Sequence, residues 1–241
     1  MIEKKKYIEE MVPDLEKKHF ARYEIQNEII AAKRVKIPGK MFDRVGVFSS
    51  PLVKSKEDLE VYVKRARERL DSLPDDHENI NATITFRKPQ PESIIKDIIS
   101  KHHINGFGVK IEGSHGFKTM TRYPIDKDFI KEAKKGIIET YHKNKELIKN
   151  ISDPEKRKIA EQSLPGDFEE LFEINRGIFA LYCVGNSSNL KKCKTEEEIY
   201  VMDIGPVEVR DQLLQLETNL PRDVVVTQPG DLAYFVRKFL S

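Results

Sequence analysis

Apolar residues run along the whole of this 241-residue chain in short periodic stretches, and no stretch approaches the roughly 20 residues that a membrane-crossing helix needs. A chain so patterned can bury a sizeable core, and no membrane partner is expected. Twelve Phe and eight Tyr argue against disorder, because disordered chains are poor in aromatics. The length suits one large or two small domains. The N-terminus is basic but lacks the apolar stretch of a signal peptide. Two cysteines, Cys183 and Cys193, make no disulfide framework, so a reducing compartment is expected. The expected location is the cytoplasm, or the host cytoplasm if the chain is viral.

Periodicity predicts a fold class of α+β, mainly α. Tyr7, Ile8, Met11, Leu15, Phe20, Tyr23, Ile25, Ile29 and Ile30 recur at three- and four-residue steps, predicting helices over 2–12 and 14–35 with a break at Pro13. Residues 41–54 read as irregular and extended. Ser55-Lys56-Glu57-Asp58 fits a capping box and opens a helix with Leu59, Tyr62, Val63, Ala66 and Leu70 on its apolar stripe. Asp71 to Asn81 is linker-like. Ala82 to Phe86 alternates as a strand, and Pro91 to Lys101 reads as a short helix. Residues 106–111 and 117–123 suggest a hairpin, followed by a long helix from about Asp126 to Asn150. Helices starting at Pro154 and Pro165 come next. Ile178 to Val184, Tyr200 to Ile204 and Val224 to Thr227 look extended, whereas Val207 to Leu216 and Asp231 to Leu240 look helical. The predicted organisation is a helical N-terminal part over 1–78, a basic middle part with a small β-hairpin over 79–150, and an acidic, helical C-terminal part over 151–241.

The net charge is only +2, but it is unevenly spread. Lys plus Arg outnumber Asp plus Glu by 14 to 8 in residues 82–150 and trail by 11 to 16 in residues 151–241. Such asymmetry can mark a surface that faces a polyanion such as DNA or RNA, and it can equally be a solvated helix face. Lys110, Lys118, Arg122, Lys131, Lys134 and Lys135 carry the middle excess. Arg22 and Arg65 sit in stretches where basic and aromatic residues interleave, the pattern that supplies phosphate contacts and base stacking.

Other chemistries find less footing. His102, His103 and His115 form the densest histidine group and would be the site if the chain is an enzyme, a reading ranked below the binding ones. No cysteine pair has metal-ligand spacing, so no metal and no cofactor is expected. Gly106, Gly108, Gly113 and Gly116 lie between two expected strands rather than before a helix, so they do not make a dinucleotide fingerprint.

The stretch Leu164-Pro165-Gly166-Asp167-Phe168-Glu169-Glu170-Leu171-Phe172-Glu173-Ile174, with the apolar run to Tyr182 and the turn Gly185-Asn186-Ser187-Ser188, is similar to the C-terminal part of the terminal proteins that prime replication of linear phage genomes. Lys54-Ser55-Lys56-Glu57-Asp58-Leu59-Glu60-Val61-Tyr62, with Arg65 behind it, resembles a helix start in their N-terminal part. The resemblance implies DNA binding and docking on a DNA polymerase. It also implies a loop hydroxyl that accepts the first nucleotide in place of a primer. Tyr182, Ser187 and Ser188 are then the candidate acceptors, with Tyr200 as the fallback. The alternative is a nucleic-acid-binding or nucleoprotein module without covalent attachment.

Overall fold

In the computed structural model the described residues are 20–25, 27–36, 43–113, 116–121, 125, 129–163, 177–207, 209–211 and 225–240. The first three elements are strands. β1 (Phe20–Ile25) and β2 (Glu28–Lys36) form a hairpin whose turn passes through Asn27 at φ 66°, a left-handed conformation that asparagine tolerates. β3 (Asp43–Pro51) pairs antiparallel with β2, and β9 (Val225–Pro229) adds in parallel to β3, giving the order β1-β2-β3-β9.

This overturns the mainly α expectation with its helical N-terminal part. Residues 2–12 lie outside the described residues, but the segment read as helix over 14–35 is a hairpin wherever it is described. The physical reason is an ambiguity of period. Spacings of three and four around Tyr23, Ile29 and Ile30 coexist with an alternation in which Ala21, Ile30 and Ala32 turn inward and are buried. Val45 and Val47, in a stretch read as irregular, complete the inward rows, with Ala21 opposite Ala32 and Ala32 opposite Val47. Pairing with segments far along the chain then selects the strand over the local helical preference.

The second sheet has the order β6-β5-β7-β4-β8, and every neighbouring pair is antiparallel. Its strands are β4 (Ile80–Gln90), β5 (Asn105–Gly113), β6 (Gly116–Thr121), β7 (Gly177–Gly185) and β8 (Ile199–Asp203). The part beyond residue 150, expected to be helical overall, supplies three of the nine strands among the described residues, at the three stretches read as extended. Strand β4 shows why two layers cover this sheet. Ile80, Ala82, Ile84 and Phe86 turn to one face and join Ile95 and Ile98 of α2 (Glu92–His102) and Leu190 of α5 (Ser187–Cys193). Phe129, at the start of α3 (Phe129–Lys149), belongs to the same cluster, and α4 (Pro154–Ser163) packs back on α3. On the opposite face, Phe179 and Val201 meet Leu59, Tyr62, Val63 and Ala66 of α1 (Lys56–Ser72) and Ala233 and Val236 of α6 (Ala233–Leu240). Helix α1 begins as its sequence predicts, with Ser55 and Asp58 bonded reciprocally in a capping box.

The two sheets are tied by polar contacts. Thr83 Oγ1 donates to the Pro229 carbonyl at 2.8 Å, and the Leu232 amide donates to Thr85 Oγ1 at 3.1 Å. Glu28, which is 0% exposed, accepts both terminal nitrogens of Arg69 at 2.8 and 2.5 Å, with Arg65 3.9 Å away. Burial opposes the charge on Arg69, but the Glu28 carboxylate outweighs it and raises the Arg69 pKa. Beside them Tyr62 donates to Asp203 at 2.5 Å. Burial raises the Asp203 carboxyl above the ordinary carboxylate range despite the opposing pull of Arg69.

Glu28→Leu should cost about 3–5 kcal/mol in urea unfolding, because it strands two guanidinium groups in the interior. Combining it with Arg69→Met should recover part of that loss. A single variant as stable as wild type would show that the pair does not join the sheets.

A raised Asp203 pKa means that the folded state favours the neutral form. Its contribution to stability is fully present below the unfolded value of about 3.9 and is lost as pH rises through the higher folded value. Asp203→Asn keeps the neutral form at every pH. Its melting temperature relative to wild type should be highest near neutrality and should fall as the pH approaches 4. A constant difference across that window would contradict the assignment.

Candidate nucleic-acid interface

Strand alternation leaves one face of the four-stranded sheet open among the described residues. With Ala21, Ile30, Ala32, Val45, Val47 and Ser49 turned inward, the intervening side chains point out. The register sets them in transverse rows: Phe20, Lys33 and Gly46 in one, and Arg22, Ala31 and Phe48 in the next. Phe20 is 47% exposed and Phe48 37%, high values for phenylalanine. Phe48 does not stand up from the sheet. Its ring lies over Gly46, where a Cβ would come within 2.8 Å of Cε2 and Cζ. The absence of a side chain at Gly46 therefore lets the ring lie across the row that holds Lys33 and Phe20.

The electrostatics of this face are cationic and loosely held. Lys33 is exposed and meets no carboxylate at ion-pair distance among the described residues. Arg22 reaches Glu24 at 3.3 Å with both side chains more than half exposed, a pairing that solvent weakens. Two aromatic surfaces with cations between and beside them suit stacked bases and phosphates.

Of the basic residues singled out by sequence, Arg22 lies on this face, and Arg65, Lys110, Lys131 and Lys135 lie elsewhere. Arg65 turns inward to Glu28 and packs over the Tyr62 ring at 5.5 Å. Lys110 is held by Asp231 at 2.5 Å. Lys131 and Lys135 are exposed on α3. Arg122 and the side chains of Lys118 and Lys134 lie outside the described residues. Local charge counting missed Phe20, Lys33 and Phe48 because it treated 14–35 as helix and 41–54 as irregular. The signal that would have found them is the alternation Val45, Val47, Ser49, which sends Gly46 and Phe48 outward.

The candidate acceptor hydroxyls are also apart. Gly185 to Ser188 is a strand end running into a helix, with the Asn186 side chain capping α5, rather than a projecting loop. Tyr182 donates to Asp231 at 2.9 Å, and burial, with Asp231 second, raises its pKa. Ser187 is buried and donates to the Pro74 carbonyl at 2.5 Å. Ser188 is partly exposed in the first turn of α5, and Tyr200 is partly exposed on β8. The segment resembling the terminal proteins over 164–174 lies outside the described residues.

Of the histidine group, His102 and His103 point to different surroundings. His102 is buried with Nε2 2.6 Å from Glu196 Oε1, whereas His103 is the exposed left-handed cap of α2 at φ 49°. His115 lies outside the described residues. Gly106 is a packing glycine, since a Cβ there would meet Ile99 and Ile125 within 2.8 Å. Both cysteines are buried thiols, and burial pushes Cys193 up to about 12, which disfavours the thiolate nucleophile. Among the described residues no three His, Cys, Asp or Glu side chains gather to hold a metal, and no helix is long and apolar enough to cross a membrane.

No family model, curated protein or solved structure matches the chain.

Gly46→Ala tests the platform without removing either ring. The new methyl should push the Phe48 ring off the sheet while costing well under about 1 kcal/mol of stability, as for surface changes generally. Any oligonucleotide affinity carried by this face should fall in parallel with the Phe48→Ala variant. Gly46→Ala binding like wild type while Phe48→Ala binds poorly would show that the ring's position over Gly46 is immaterial.

Proposed function

We propose that this protein is a nucleic-acid-binding module that engages single-stranded DNA or RNA without covalent attachment. The observation that carries the reading is the pair of exposed rings, Phe20 and Phe48, set around Lys33 with Arg22 in the adjoining row. A flat sheet face with exposed aromatics suits unstacked bases, because duplex bases have no free face to offer. Lysine and arginine supply sequence-independent phosphate contacts and make binding salt-sensitive.

The test is anisotropy of labelled oligonucleotides between about 50 and 200 mM salt. Phe20→Ala and Phe48→Ala should each weaken single-strand binding by about tenfold, the lower range for loss of one stacked base. Arg22→Gln with Lys33→Gln should reduce the salt slope by about 1.4, since each single-strand phosphate contact contributes about 0.7. Duplex bound as well as single strand, or all four substitutions without effect, would remove the proposal.

The priming alternative falls on Tyr200 and Ser188. Both are partly exposed and neither hydroxyl makes a hydrogen bond with a described residue, while those of Tyr182 and Ser187 are engaged. Incubation with a matched polymerase and metal separates the forms. A one-nucleotide gain in intact mass that Tyr200→Phe or Ser188→Ala abolishes supports priming, and an unchanged mass leaves the non-covalent form.

A further inference from the structure

Strand register gives the open sheet face a scale. Neighbouring strands lie about 4.8 Å apart, so Phe20 on β1 and Gly46 on β3, two strands away in the same transverse row, are about 10 Å apart. The Phe48 ring lies over Gly46, so the two aromatic surfaces share one row although their residues do not. Lys33 stands between them, about 5 Å from each by the same spacing. A ring laid across a glycine keeps one face against the backbone and offers the other to a base.

The rows beyond this one bound the site. One row along the strands, about 7 Å away, Arg22 stands beside the small Ala31. The row after that holds Glu24, Ile29 and Ser50, none of them aromatic or basic. Glu24 is more than half exposed, and its carboxylate lies 3.3 Å from Arg22. That carboxylate holds Arg22 from one side and repels phosphate from its own row. Among the described residues the rings and cations of this face therefore act over two rows, with a carboxylate closing one end.

We infer, on the single-strand reading proposed above, that this face recognises two neighbouring nucleotides splayed apart, one base on Phe20, the other on the Phe48 ring, and the phosphate between them on Lys33. The ligand class narrows from single strands in general to short unpaired stretches. Bases stacked on one another in a strand are about 3.4 Å apart, far less than the separation of the two rings. A stack built on the Phe48 ring also grows away from the sheet, because the ring lies across Gly46, and it does not approach Phe20. Occupying both rings therefore pulls neighbouring bases apart. The phosphate that links them falls near the middle of the row, where Lys33 stands. Arg22 meets a phosphate flanking the pair, and Glu24 turns the strand away beyond it. The bound strand thus crosses the β-strands rather than running along them.

Anisotropy of labelled DNA chains of one length, abasic except for a central run of one, two or six thymines, holds the phosphates constant and varies the bases. Two adjacent thymines should bind about tenfold more tightly than one, the gain for a second stacked base. Six thymines offer five adjacent pairs in place of one, so they should gain at most about fivefold over two, whereas a surface that tracks the strand would gain about tenfold for each base. Parting the two thymines by three abasic residues should weaken binding by about threefold, because a longer link lowers the effective concentration of the second base at its ring. Phe20→Ala and Phe48→Ala should each bring the two-thymine chain to within about twofold of the one-thymine chain, since one ring remains. Both side chains are exposed, so the variants should unfold in urea like wild type. Affinity that climbs by a similar factor with every thymine, a parted pair as tight as the adjacent one, or a two-thymine chain that depends on one ring alone overturns the splayed pair and leaves the stacking face in place. A six-thymine chain that binds no better than the fully abasic one, or that ignores both rings, removes the stacking face and the splayed pair with it.

Discussion

Glu28 is the residue on which the rest of the arrangement depends. Its carboxylate is removed from water at the start of β2, a position it can hold only if cations come with it. Helix α1 brings them, Arg69 in a two-pronged contact and Arg65 alongside. The same helix packs its apolar stripe against β8 and α6. One ionic contact thus joins the N-terminal strands to a helix that is committed to the other sheet. Apolar burial supplies most of the stabilisation and has no direction. The carboxylate and its two guanidinium groups supply geometry, because an offset would leave a charge unpaired in the interior.

The consequence for function is a division of the basic residues. Arg65, Arg69 and Lys110 are consumed by internal carboxylates, so they add nothing to a polyanion surface. Some of the described cations that face outward are placed by backbone features. Lys33 and Arg22 are set outward by strand register, and Arg67 and Arg87 are held by main-chain carbonyls. In both places an aromatic side chain lies beside the cations: Phe48 and Phe20 on the sheet, and Tyr200 under Arg87. A count of lysines and arginines along the sequence cannot separate these two populations, since spent and unspent cations look alike until their partners are known.

Local chemistry was legible where it was self-contained. Ser55 and Asp58 cap α1 through bonds within four residues of each other, and Ile84 and Phe86 alternate on β4 as their pattern implies. The hairpin of β5 and β6, the helix after it and the closing helix α6 also stand near their expected places. Gly185-Asn186-Ser187-Ser188 was read as a turn, but its asparagine serves as the cap of α5, and Ser187 is drawn inward to Pro74.

What the sequence determined by itself was the set of short one-sided elements, the helix start at Ser55, the lack of a membrane-length helix among the described residues, and the supply of aromatic and basic side chains. What only the tertiary structure decided was the state of residues 20–36 and 43–51, the joining of β9 to β3 across the length of the chain, and which cations face outward. The reason is the range of the interactions. A capping box closes within one helical turn, whereas a strand exists only when a partner strand completes its hydrogen bonds. A charge is free for a ligand only when no buried carboxylate has claimed it.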